Sequence, residues 1–94
     1  MKVILKGFID VPGVDIDRVM AQIPTHAGLT RAEPGCLKFE IRQRENNELR
    51  FDVYEEFVDR QAYWFHQQRL KDSDWGRTTG DVKRHYTVTG LDDA

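Results

Sequence analysis

An α+β fold built on one four-stranded antiparallel sheet is what this sequence predicts, on three observations. Four segments alternate apolar and polar residues with the period of two that marks a strand. Two longer segments repeat their apolar residues at three- and four-residue spacing, the mark of a helix with one buried face. The segments run strand, helix, strand, strand, helix, strand, with a short extra helix before the last strand. This is the order of the ferredoxin-like split βαβ arrangement.

Residues 2–9 read as the first strand. Val3, Leu5 and Ile9 share one face, while Ile4 and Phe8 share the other with Lys6 between them. Asp10, Val11, Pro12 and Gly13 supply turn chemistry. Asp15 then offers an N-cap for a helix of about 15 residues. Its stripe is Ile16, Val19, Met20, Ile23 and Ala27, and Pro24 is expected to kink or divide it. The segment from Arg31 to Gly35 closes it.

Residues 36–43 form the second strand, with Leu37, Phe39 and Ile41 opposite Lys38, Glu40 and Arg42. A polar hairpin turn over 44–48 follows, with Asn46 and Asn47 tolerating positive φ. Residues 49–57 give the third strand, in which Leu49, Phe51, Val53, Glu55 and Phe57 alternate with Arg50, Asp52, Tyr54 and Glu56. A second helix spans Asp59 to about Leu70. A short third helix starts near Asp72–Gly76, capped by Asp72 or Ser73, and ends at Thr79 and Gly80. Residues 82–90 give the last strand, with Val82, Arg84, Tyr86 and Val88 against Lys83, His85, Thr87 and Thr89. Leu91–Ala94 reads as a tail.

At 94 residues the chain has room for a single domain, 1–94, with a small core. Helices cover one face of such a sheet. Because several strands carry apolar or aromatic residues on both faces, a homodimer packed sheet to sheet is expected. The 14 basic and 16 acidic residues give a net charge of −2 and are scattered, so a nucleic-acid partner is not expected. There is no apolar run long enough for a membrane span. The opening Met1 and Lys2 lead straight into a strand pattern rather than a signal peptide. One cysteine, Cys36, excludes an internal disulfide and fits a reducing, cytoplasmic setting. It reads as a structural thiol.

The second helix carries the candidate chemistry. Ala62, Tyr63, Trp64, Phe65 and His66 place four rings side by side, with Ala62, Phe65, His66 and Arg69 on one stripe and Tyr63 and Trp64 widening it. Such a face suits a cavity wall for a flat organic ligand; it equally suits a plain core or a dimer contact. A buried neutral His66 can take a proton from a phenol, or it can be a helix histidine bonded to a carbonyl or to Glu55 or Glu56. Glu55 interrupts an apolar strand face, where a carboxylate is costly unless paired; its partner is His66 or an arginine. These two are the candidate catalytic residues. Trp64, Phe65, Trp75, Tyr86 and Tyr54 are the candidate substrate-binding residues, against the alternatives of core and cross-strand packing. Strand-borne Arg42, Lys83 and Arg84 read first as surface charges, although a strand arginine reaching into a pocket stabilises a phenolate. Phosphate-loop, CxxC, HExxH and GxSxG motifs are absent. His26, His66 and His85 lie on three different elements without zinc spacing, and no metal or cofactor is expected.

The run Pro34-Gly35-Cys36-Leu37-Lys38-Phe39-Glu40, the strand Phe51 to Phe57 with its paired Glu55 and Glu56, and Ala62 followed four residues later by His66 together resemble the antibiotic biosynthesis monooxygenase domain family over essentially the whole chain. The resemblance implies a dimeric α+β barrel with a pocket between sheet and helices in each subunit. It implies His66 as the pocket histidine and Glu55 or Glu56 as the strand carboxylate. Members of that family include cofactor-independent oxygenases of polycyclic phenols and quinols, haem-degrading enzymes, and proteins that process a signal molecule without oxygen. Departures are visible. Phe57 stands where the family has Trp, and Gln67, Gln68, Arg69 and Leu70 replace the usual Ser-Pro-His. The asparagines, Asn46 and Asn47, lie in the hairpin, which disfavours haem degradation. The expected activity is oxidation of a phenolic or hydroquinone-type small molecule to a quinone by dioxygen. The alternatives are isomerisation of a small carbonyl compound through an enolate, and a non-catalytic dimeric module that binds a small aromatic molecule.

Overall fold

The computed structural model describes residues 1–91; the expected tail lies outside them beyond Leu91. Four strands, β1 (Val3–Asp10), β2 (Cys36–Arg44), β3 (Asn47–Phe57) and β4 (Lys83–Thr89), form one antiparallel sheet in the order β2-β3-β1-β4. Helices α1 (Ile16–Arg31), α2 (Arg60–Lys71) and the short α3 (Asp74–Thr78) complete the ferredoxin-like α+β fold predicted from the sequence pattern. A 3-10 turn over Gly13–Asp15 leads into α1.

The period-two alternation sorts the sheet as the sequence implies. Val3, Leu5, Ile9, Phe51, Val53 and Phe57 are buried beneath the helices and join Val19, Tyr63, Trp75 and Val82 in one core. The opposite face is more polar than its rings suggest. Arg50 pairs with Asp10 at 2.7 Å, Lys2 with Glu56 at 3.1 Å and Arg44 with Asp52, while the Tyr54 hydroxyl donates to Glu56 at 2.7 Å. Phe8 sits there stacked on His85, with the Arg50 guanidinium 4.1 Å from its ring centre.

Local details depart from the expectations. Helix α1 runs through Pro24 unbroken. Pro24 and Met20, the residue whose carbonyl loses its amide partner, are both exposed, so the break in the hydrogen-bond ladder is on the outer side of the helix. Asp15 occupies the cap position of α1 without a capping bond, because its carboxylate is taken by Arg18. Asp59 and Ser73 do cap their helices, accepting from the amides of Ala62 and Gly76. The hairpin turn is only Glu45 and Asn46, with no positive φ at a non-glycine residue among the described residues. A register irregularity between Cys36 and Lys38 turns Leu37 outward, away from the core its alternation predicted.

Gly7 is indispensable to the sheet. Its φ of +156° is disfavoured for a side-chain-bearing residue, and a Cβ there would lie 1.9 Å from the His85 carbonyl oxygen. The register sets Gly7 between Val53 on β3 and Tyr86 on β4. The inward alternation of β1 therefore skips one side chain at mid-sheet, between Leu5 and Ile9.

Candidate active site

A cavity of about 130 Å³ lies over that gap, between sheet and helices. Val53, Glu55 and Tyr86 line it from the sheet, Tyr63 and Leu70 from α2, and His26 and Trp75 from α1 and α3. Arg84 stands at its mouth, exposed, with its guanidinium bonded to the Thr79 side chain at 2.8 Å and to the Val82 carbonyl at 3.3 Å.

Behind Glu55 lies a buried polar chain. His66 has no exposed surface, and its Nδ1 is 2.8 Å from Glu33 Oε2. The same oxygen accepts from Arg69 Nε at 2.8 Å, and Arg69 also donates to the Thr30 hydroxyl. A carboxylate acceptor at Nδ1 fixes the tautomer, leaving a lone pair on Nε2. Nε2 faces Glu55 Oε1 at 3.7 Å, too long for a hydrogen bond, and both atoms are buried without a partner.

Two small residues make this chain possible. A Cβ on Gly35 would lie 2.3 Å from the Ala62 Cβ, so the turn after α1 is pressed directly against α2. One helical turn beyond Ala62, His66 then meets Glu33 from that same turn. The Ala62–His66 spacing thus has a geometric role: contact first, hydrogen bond one turn later.

The electrostatics follow from burial. Burial, with the charge of Glu33 adding, pushes the Glu55 carboxyl up to about 7. Burial lowers His66, against the upward pull of Glu33, so its imidazole is neutral at physiological pH. Burial, aided by His66 and the Arg69 and Arg84 charges, takes His26 down to about 3. Burial also raises the Tyr86 phenol. The site thus holds a carboxyl poised near neutrality beside a neutral imidazole whose free nitrogen points at it. A carboxyl that takes up a proton here gains an acceptor in His66.

Of the residues singled out from sequence, the structure brings together Glu55, His66, Trp75 and Tyr86. The expectation that Trp64, Phe65 and Tyr54 line the same cavity is corrected. Helix α2 is rolled so that Tyr63, His66 and Leu70 face inward, leaving Trp64 55% and Phe65 57% exposed. Tyr54 is on the opposite face of the sheet with Glu56. The sequence reading missed Glu33, His26, Tyr63 and Arg69 as site residues. Tyr63 and Arg69 had a helical-periodicity signal, falling three residues before and three after His66; Glu33 and His26 had none tying them to it. Among the described residues no cluster of three or more His, Cys, Asp or Glu side chains is arranged for a metal ion, and no helix is long and apolar enough to cross a membrane.

Fold and site together define a small ferredoxin-like protein with an ionisable cavity between its sheet and its helices. The chain belongs to the antibiotic biosynthesis monooxygenase family, whose model matches residues 3–73. Solved structures with the same fold include an antibiotic biosynthesis monooxygenase candidate from Nitrosomonas europaea, 20% identical over 95% of this chain and 94% of that one, with a TM-score of 0.72. A second antibiotic biosynthesis monooxygenase is 22% identical over 100% and 99% of the two chains, at a TM-score of 0.69. MupZ from Pseudomonas fluorescens is 16% identical over 93% of this chain and 69% of its own, at 0.75. At these identities the likeness is one of fold. No curated protein matches the sequence.

Proposed function

We propose that the protein is a cofactor-independent monooxygenase that converts a phenolic or hydroquinone-type molecule to a quinone with dioxygen. Family membership supports the monooxygenase class. The observation that carries the finer reading is the unpartnered Glu55 Oε1 in the cavity wall with His66 Nε2 directly behind it.

Glu55 is the base in this reading. It removes the phenolic proton of a ring bound in the cavity, and the new carboxylic O–H turns to His66 Nε2. A base with a pKa near the working pH is the efficient choice. The phenolate gives one electron to dioxygen, and the resulting radical pair combines at the para ring carbon, forming a C–O bond. In a phenol unsubstituted at that position, the carbon then loses its hydrogen as a proton and the O–O bond breaks. One oxygen stays as the second quinone carbonyl, and the other leaves as water with the two protons released. The substrate supplies all the electrons, so neither flavin nor metal enters the scheme. The protein supplies deprotonation, orientation between Trp75 and Tyr86, and exclusion of water.

The same base in so small a cavity also fits enolisation of a small carbonyl compound, an isomerase that needs no oxygen. Oxygen consumption by metal-stripped protein against a panel of phenols and hydroquinones separates the two. Uptake with wild type and its loss in His66→Ala supports the oxygenase. Deuterium wash-in at a carbonyl α-carbon without uptake supports the isomerase.

The homodimer belongs to the same proposal: residues 1–94 act as one domain whose outer sheet face meets that of a second copy, with Phe8 and Tyr54 at the contact. Half-burial of both rings on an otherwise uncovered face supports it. Light scattering of the purified chain reads it directly as twice the 11.0 kDa monomer mass or as the monomer mass.

A further inference from the structure

We infer that the cavity admits a single oxygenated ring, and that the stacked side chains of His26 and Trp75 set this limit. The inference rests on the cavity being the substrate site, as proposed above, and it narrows the substrate class to monocyclic phenols.

Size is the first argument. The cavity measures about 130 Å³, whereas an apolar protein cavity of about 150 Å³ holds one benzene ring and drug-sized ligands occupy sites of roughly 300 Å³ or more. A three-ring phenol has no place in it.

The wall is the second argument. A groove of about 380 Å³ runs on the outside between α1 and the α2–α3 segment. His26 and Trp75 are the two side chains that line both spaces. Their rings lie face to face, 4.2 Å between centroids and 6° from parallel. Both are buried, and the His26 ring and the Trp75 backbone each have a further contact. Phe39 meets the His26 ring edge-on at 5.3 Å, and the Thr79 hydroxyl donates to the Trp75 carbonyl at 2.6 Å. A single layer of two rings therefore separates a small inner cavity from a groove nearly three times its size. On the β4 side the mouth is crossed by Arg84, tied to Thr79 and Val82. Removing the indole joins the two spaces and opens room for further fused rings.

Calorimetric titration without oxygen tests this apart from any chemistry, using para-methoxyphenol, naphthol and anthrone as one-, two- and three-ring probes. Wild type is expected to bind the one-ring probe more than about tenfold tighter than anthrone, since even one misfitting methylene costs about that much in a closed pocket. Trp75→Ala is expected to erase or reverse the preference. His26→Ala opens the same wall from its other side, and thermal unfolding shows which variant stays folded. Equal binding of anthrone by wild type overturns the size limit. A preference that survives in a folded variant overturns the role of the wall. Absence of binding by every probe overturns the substrate site itself and the inference with it. Selective binding with no turnover sinks the oxygenase reading and leaves this inference standing.

Discussion

Glu55→Gln is expected to abolish turnover and, above neutral pH, to make the protein more stable. The loss of activity follows from the role: an amide keeps the shape of the carboxyl and cannot take a proton. A general base contributes roughly a hundred- to ten-thousand-fold to rate, so kcat/KM should fall by at least that lower figure. In wild type the same group should produce a rising limb of kcat/KM with pH, centred near the carboxyl's pKa of about 7, and the limb should vanish in the variant. The gain in stability follows from linkage. The folded-state pKa is raised from 4.5 to about 7, so between these values the folded protein holds a proton that the unfolded chain has released. Stability therefore falls as pH rises through that window, and the full penalty is present above it. Replacing the carboxyl removes a penalty on the order of 3 kcal/mol at pH 8 and almost none below pH 4.5. Thermal unfolding of both proteins at the two pH values reads the difference. A variant less stable than wild type at pH 8 would show that Glu55 is held ionised and well paired, contrary to this account.

The second large effect is the loss of fold stability in Glu33→Ala. One Glu33 oxygen accepts from both His66 and Arg69, and Glu33 is only 7% exposed. Truncation leaves a fully buried imidazole N–H without an acceptor and a partly buried guanidinium without its counter-charge. Each lost partner costs about 1–3 kcal/mol, and Arg69 keeps some access to water, so the sum is expected at about 3 kcal/mol. For a domain of this size that lowers Tm by roughly 10–20 °C. Glu33→Gln separates structure from charge. Its amide oxygen can still accept from His66, so it should recover part of the stability while moving the pH limb of turnover, because the Glu33 charge helps raise Glu55. Denaturant unfolding and pH–rate profiles on the three proteins provide the check. A Glu33→Ala variant within about 0.5 kcal/mol of wild type, the range of an ordinary surface change, would mean that His66 is held by its packing alone.

These two residues also mark how far the sequence could be read. Glu55 was legible because a strand makes its faces explicit: a carboxylate between Val53 and Phe57 breaks a strict alternation and calls for an explanation. The order of strands and helices along the chain and the Ser73 cap of α3 followed from equally local rules. Glu33 was not legible, because its contact with His66 joins residues 33 apart in sequence. That contact depends on Gly35 and Ala62 letting a turn press against a helix, which periodicity does not encode. The roll of α2 was hidden for a related reason. With four rings in succession, several stripes are apolar, and tertiary packing chose the one carrying Tyr63, His66 and Leu70 over the one carrying Phe65. Pro24 does not divide α1 as one of its two expected effects would have it; its cost to a helix falls when the freed carbonyl is on the outer side, and Met20, which carries that carbonyl, is exposed.

The most direct test of the central claim follows the oxygen atoms. Metal-stripped protein is supplied with isotopically labelled dioxygen and a monocyclic phenol, and the quinone and water are analysed for label. One labelled atom in the quinone and one in water, with dioxygen consumed in equal amount to quinone formed and the activity lost in Glu55→Gln, is the result this account predicts. An unlabelled product, or no dependence on dioxygen, would contradict it and leave the cavity to proton transfer alone.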